Sequence, residues 1–172
     1  GKLYRNEGGK DFVEVTPKAL TERPMKVSRG AAWVDMDNDG YLDLYVAGYE
    51  IWQKAVYADA LYRNVDGKDF VAHELPKARN MSARGVSAAD FDADGDVDIY
   101  VSNYRLFPNR LWCNDGEGKF SEIATPSGTA GDGGLGAWGH TIGSAWGDLD
   151  NDGYLDLFVG NFSHPPAYQD RP

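Results

Sequence analysis

Short runs rich in β-branched and aromatic residues recur along the chain, separated by Gly, Asn and Asp turns, and they predict strands. One kind of hairpin is built from Leu3-Tyr-Arg-Asn6 and Phe12-Val-Glu-Val-Thr16 around a Gly-Gly-Lys turn. It returns at Leu61-Tyr-Arg-Asn64 with Phe70 and at Leu111-Trp-Cys-Asn114 with Phe120, and each Phe lies six residues after its Asn. A second kind surrounds an acidic loop, with Gly30-Ala-Ala-Trp-Val34 before it and Leu42-Asp-Leu-Tyr-Val46 after it. It spans Gly30–Tyr49, Gly85–Tyr104 and Gly143–Phe162. Residues 17–27 and 76–84 read as linkers, and 105–109 as a short link. Apolar residues at Ile51, Ala55 and Val56 fit a short helical turn within 50–60. Residues 128–139 read as a mobile, Gly-rich surface loop. Its Gly131–Gly136 run lacks the strand-loop-helix context of a nucleotide-binding loop. The end, from His164 to Pro172, is turn-like.

Aligning Gly30, Gly85 and Gly143 gives periods of 55 and 58 residues, each with four strand candidates. Four antiparallel strands per repeat predict an all-β fold of β-propeller blades. The repeats divide one propeller segment, 1–172, into four parts. Residues 1–27 form the outer hairpin of a half blade, 28–75 and 84–124 form whole blades, and 138–172 form the inner hairpin of a last half blade. Three repeats cannot close a ring, which usually takes 4–8 blades. The chain is then either a piece of a longer propeller, with further repeats after Pro172, or a subunit whose half blades join between copies. Two copies would make a six-bladed ring; more could make an open fibre.

The acidic loops carry the candidate chemistry. They are Asp35–Asp43, Asp90–Asp98 and Asp148–Asp156, with acidic residues at positions 1, 3, 5 and 9 and Gly at 6. Side chains at 1, 3 and 5 converge if the backbone curls, and Gly at 6 permits the curl. The expected ligands are Asp35, Asp37, Asp39, Tyr41 and Asp43; Asp90, Asp92, Asp94, Asp96 and Asp98; and Asp148, Asp150, Asp152, Tyr154 and Asp156. Position 7 would contribute its carbonyl, and Asp at 9 would close the cage. Clustered carboxylates repel by about 1–4 kcal/mol per pair at ~4 Å, and a divalent ion removes that cost. An all-oxygen cage suits calcium, with one ion per loop and three in all. The loops are not EF-hands: position 12 is Val46, Val101 or Val159 instead of Glu, and the flanks are strands. A plain Asp/Asn/Gly turn without an ion is the alternative, and three copies at one spacing argue against it.

The net charge is −10. The loops hold 13 of the 27 acidic residues and no Lys or Arg, which leaves the remainder at +3. No basic stripe of the kind nucleic-acid binding needs is present, and no run is apolar enough to span a membrane. The single cysteine, Cys113, rules out an internal disulfide and reads as a packed strand residue. Three histidines remain. His73 reads as a surface residue. In a regular hairpin closed around Asp148 and Asp156, His140 and His164 would face each other, where the other repeats have Val27/Ile51 and Ser82/Leu106. The pair is either a second small metal or acid–base site or two surface or packing residues. No nucleophile-plus-base constellation surrounds a Ser or Cys113.

The pattern Gly-x-x-x-x-Asp-x-Asp-x-Asp-Gly-x-x-Asp-Leu-Tyr-Val, followed by Leu-Tyr-Arg-Asn-x-Gly-x-x-Phe, is similar to FG-GAP/VCBS-type repeats. It most resembles those of secreted bacterial proteins and cartilage-acidic-protein-like relatives. Integrin α-subunit propellers share this ion loop. The resemblance implies a calcium-stabilised β-propeller, extracellular or periplasmic, and maps the ion site onto the fifteen loop residues named above. The expected role is non-catalytic recognition, adhesion or self-assembly. Partners would be other blades, from the same longer chain or from identical subunits, and an extracellular protein or glycan. The alternative is a carbohydrate-active propeller enzyme such as a polysaccharide lyase; fold alone does not license it.

Overall fold

The computed structural model describes residues 1–22, 27–132 and 138–162. Its strands, in chain order, are β1 (Tyr4–Glu7), β2 (Asp11–Glu14), β3 (Ser28–Val34), β4 (Asp43–Gly48), β5 (Glu50–Ile51), β6 (Ala55–Val56), β7 (Ala60–Val65), β8 (Asp69–His73), β9 (Ser82–Ala89), β10 (Asp98–Tyr104), β11 (Arg110–Asn114), β12 (Phe120–Glu122), β13 (His140–Gly147) and β14 (Asp156–Phe162). One helical turn, α1 (Lys18–Thr21), lies between β2 and β3. All pairings are antiparallel. Two sheets have four strands, in the orders β3-β4-β7-β8 and β9-β10-β11-β12, and the pairs β1-β2, β5-β6 and β13-β14 stand apart. The sheets are open and of the propeller-blade type.

The near-continuous apolar runs of β4, β7, β10 and β11 follow from burial on both faces. Successive side chains on a strand point to opposite sides. Tyr45, Ala47 and Leu61 face the second sheet, where they meet Ala83, Ile99, Val101, Trp112 and Phe120. Their neighbours Val46 and Tyr62 face the other way, onto Leu20 and Leu3. In the second sheet Tyr100 and Leu111 turn from the first sheet toward Trp146, Leu157 and Val159 of the last hairpin. Sheets therefore stack face on face in chain order, and each fully buried Leu, Ile or Val contributes about 1.5–3 kcal/mol.

The first strands of three successive units, β3, β9 and β13, lie side by side. A Cβ on Gly30 would stand 3.0 Å from the Arg84 carbonyl oxygen, and one on Gly85 would stand 2.8 Å from that of Ile142. The repeated glycine thus lets backbones of neighbouring sheets approach. In the outer hairpins the Asn-to-Phe spacing is the register itself: Asn6 pairs with Phe12, Asn64 with Phe70 and Asn114 with Phe120. Asn6 and Asn64 close their turns by accepting the N–H of Gly9 at 2.6 Å and Gly67 at 3.0 Å.

Four expectations are corrected. Residues 17–27 contain α1, which seats Leu20 in the core. Within 50–60 the chain forms the small β5-β6 hairpin, not a helical turn, because Gln53 takes a left-handed conformation (φ 56°) that reverses it. The described part of 128–139 is tied down: Tyr100 donates to the Thr129 carbonyl at 2.8 Å, Asn109 N–H to that of Ala130 at 2.9 Å, and Ala130 is buried. His73 is half-buried and bonds the Gly118 carbonyl oxygen at 2.8 Å.

Candidate metal centres

All three acidic loops fold alike. Asp35 accepts the N–H groups of Asp39 (3.1 Å) and Gly40 (3.0 Å), and Asp39 accepts that of Tyr41 (2.9 Å). Asp90 and Asp94 repeat this at 3.2, 3.0 and 2.9 Å, as do Asp148 and Asp152. Positions 4 and 6 are left-handed in every loop: Asn38, Ala93 and Asn151 at φ 54°, 60° and 61°, and Gly40, Gly95 and Gly153 at 85°, 97° and 93°. Asn and Gly adopt this conformation at less cost than Ala. Ala93→Asn is expected to raise stability by about 0.5–1 kcal/mol, read as a higher denaturation midpoint in a chelator.

This curl gathers carboxylates. Ligand oxygens of Asp35, Asp37 and Asp39 lie within 4.8 Å of one another, as do those of Asp90, Asp92 and Asp94 and those of Asp148, Asp150 and Asp156. Each triad could hold a metal ion. The donors are hard oxygens, and Asp37 Oδ1 is buried without a hydrogen-bond partner among the described residues, so both features fit a hard cation. Burial, and then the charge of Asp94, raises the pKa of the Asp92 carboxyl.

Position 9 does a second job. Asp43 accepts the N–H of Met36 at 2.9 Å and that of Asn64 at 2.7 Å, so it ties the loop to the outer strand β7. Asp98 does the same with Phe91 (3.2 Å) and Asn114 (2.9 Å). Both carboxylates are buried, and burial pushes that of Asp98 up to about 6. Asp156 accepts Leu149 N–H at 2.8 Å, is exposed, and joins the triad of its loop. The loops also differ beside position 3. Arg63 donates to Asp37 (2.6 Å) and Asp39 (3.1 Å) in the first. At the matching place in the second outer hairpin stands Cys113, half-buried, its thiol pushed up to about 11 by burial and by the nearby carboxylates.

The last hairpin departs from the regular register expected around Asp148 and Asp156, since Gly147 pairs with Asp156. Between Thr141 and Gly143 the register shifts by one, and His140 pairs with Phe162. His164 lies outside the described residues. The His140 ring packs on Tyr104 at 4.4 Å, and its Nδ1 accepts Arg105 N–H at 3.3 Å.

Sequence reasoning missed a buried polar centre between the two four-stranded sheets, formed by Asp59, Tyr45, Arg110 and Trp112. It also missed the role of Asn64 and Asn114 as the outer ends of the Asp43 and Asp98 ties. Recurrence of that Asn in every outer hairpin was the available signal.

Repeated antiparallel sheets, each inner hairpin closed by a carboxylate cage, define a repeat protein of the propeller-blade type. The model of the FG-GAP-like repeat matches residues 1–46 and 102–159, and the chain belongs to that family. It is similar to cartilage acidic protein 1 of Mus musculus, 28% identical over 167 residues that cover 92% of this chain and 24% of the relative. The same protein of Xenopus tropicalis is 27% identical and that of Homo sapiens 28%, each over 145 residues and 80% of this chain. The chain thus spans about a quarter of the length of the curated relatives it matches. Among the described residues no helix is long and apolar enough to cross a membrane.

Proposed function

We propose that this is a calcium-binding β-propeller segment that serves extracellular recognition, adhesion or self-assembly without catalysing a reaction. The observation that carries this reading is the convergence of a carboxylate triad in each of three successive hairpin loops, from positions 1, 3 and 5 in two and from 1, 3 and 9 in the third. An all-oxygen cage in a flexible loop favours calcium over smaller or softer ions. The extracellular setting draws on the likeness to cartilage acidic protein 1. In this reading β3-β4-β7-β8 and β9-β10-β11-β12 are whole blades, β1-β2 is an outer half blade and β13-β14 an inner one. Both halves expose apolar faces, with Phe12 68% and Phe158 73% accessible, where further blades of a longer chain or a second subunit would pack.

The test is melting in calcium and in a chelator. A site occupied at a hundredfold above its Kd adds about 2.7 kcal/mol. Asp92→Ala is expected to lose about that much in calcium and nothing in chelator, where removing an exposed carboxylate that its neighbours repel costs little. Equal melting of the wild-type chain in both buffers would end the calcium reading. Light scattering then decides the assembly: a multiple of 18.9 kDa supports joined half blades.

One observation favours the enzyme reading. Arg29, Arg84, Arg105, Tyr49, Tyr104 and His140 gather at the hairpin ends remote from the acidic loops. Depolymerisation of an acidic polysaccharide by the purified chain would support it.

A further inference from the structure

The three first strands each carry a bulge at the same position. Pairing of β3 with β4 passes from Ser28↔Gly48 to Gly30↔Ala47, which leaves Arg29 as the extra residue. In β9 it passes from Ala83↔Asn103 to Gly85↔Ser102 and leaves Arg84. In β13 the extra residue is Ile142. A bulge re-aims its side chain out of the pleat. Here it brings two guanidinium groups to one ring: those of Arg29 and Arg84 lie 5.2 and 5.4 Å from the Tyr49 centroid. Arg84 also donates to the Tyr49 hydroxyl at 3.0 Å and covers Tyr104 at 4.1 Å.

The rings are buried and fixed, while both arginines are exposed. Among the described residues neither arginine has a carboxylate within 4.0 Å. Two cations are therefore held in place, and the rings that orient them do not neutralise them. Beside them Arg105, paired with Glu50 at 2.7 Å, covers one face of Trp52 at 3.9 Å, and Trp52 is 59% exposed.

We propose that this arginine–tyrosine platform binds the carboxylate of an acidic sugar. The guanidinium fork matches a planar carboxylate with two parallel N–H···O bonds. The exposed indole offers a flat apolar surface to the C–H face of a sugar ring. An acidic peptide would add along a strand edge, whereas an indole face beside a guanidinium fork offers a stacking surface and a carboxylate site that suit a ring. The inference rests on the reading of the chain as a recognition module and is independent of the ion loops.

Calorimetric titration of the calcium-loaded chain with trigalacturonate tests it. Binding is expected, with none for the neutral methyl ester. Arg84→Gln and Arg29→Gln should each weaken binding about tenfold or more, and Arg29→Gln should do so without moving the melting temperature. Unchanged affinity in both variants, or equal binding of the methyl ester, would overturn the platform. Tighter binding of hexaglutamate would overturn the sugar and point to an acidic peptide. No binding by a chain that calcium does stabilise would overturn this inference alone and leave the calcium reading standing.

Discussion

Asp59→Ala is expected to destabilise the chain by about 3–5 kcal/mol. Asp59 Oδ2 accepts the Tyr45 hydroxyl at 2.7 Å and Arg110 Nη1 at 2.9 Å, and its Oδ1 accepts Gly48 N–H at 2.8 Å. Arg110 also donates to the Arg79 carbonyl at 2.9 Å, and Trp112 Nε1 donates to the Tyr45 hydroxyl at 3.1 Å. The Asp59 and Arg110 side chains are only 8% and 6% exposed. Tyr45 lies on the first four-stranded sheet and Arg110 and Trp112 on the second, so the carboxylate joins the two. Its removal leaves a buried cation without its counter-ion, and leaves the Tyr45 hydroxyl and the Gly48 N–H without their acceptor. Burial raises the Asp59 carboxyl above its ordinary range even with Tyr45 and Arg110 beside it. The intact pair is therefore far less valuable than the cost of breaking it. The double variant Asp59→Leu/Arg110→Met should recover most of the loss. Urea denaturation measures both; a loss under 1 kcal/mol for Asp59→Ala, or no recovery in the double variant, would refute the argument.

Gly85→Ala should cost about 3 kcal/mol, while Gly143→Ala should change stability by no more than about 0.5 kcal/mol. Both glycines hold the same place in the repeat, and neither has a left-handed φ, so backbone strain does not separate them. What separates them is the neighbour. A methyl on Gly85 would stand 2.8 Å from the Ile142 carbonyl oxygen and 2.9 Å from Gly143 Cα, and these are backbone atoms that cannot rotate away. A methyl on Gly143 meets nothing within 4 Å among the described residues. Equal losses at the two positions would show that something other than the approach of β9 to β13 requires the glycine.

The acidic loops were legible because their chemistry is local. Nine consecutive residues contain the turn, the convergent carboxylates and the glycine. The outer hairpins were legible for the same reason, since a six-residue Asn-to-Phe spacing is a register. What stayed hidden depends on distance along the chain. Asp59 and Arg110 are 51 residues apart and belong to no motif. The repeated glycine could be used to align the copies, but its cause is a neighbouring sheet that no window of sequence contains. The bulge before that glycine was equally invisible: it shifts the register by one, and the pairing of Gly147, not Asp148, with Asp156 shifts it by one more, so His140 pairs with Phe162. At 50–60 the spacing of Ile51, Ala55 and Val56 imitated a helical face, while Gln53 turned the chain back as a hairpin.

The bulge separates two demands that usually compete for one residue. The glycine after it fixes how closely the sheets approach, and the strand pairs around it keep their register. The backbone of the bulged residue meets the neighbouring glycine but its side chain does neither job, and the chain has already placed Arg there twice and Ile once. Residues 29, 84 and 142 thus form a set of interchangeable display sites on a constant frame. A combinatorial library confined to those three codons would alter what the molecule recognises while leaving its folding instructions untouched.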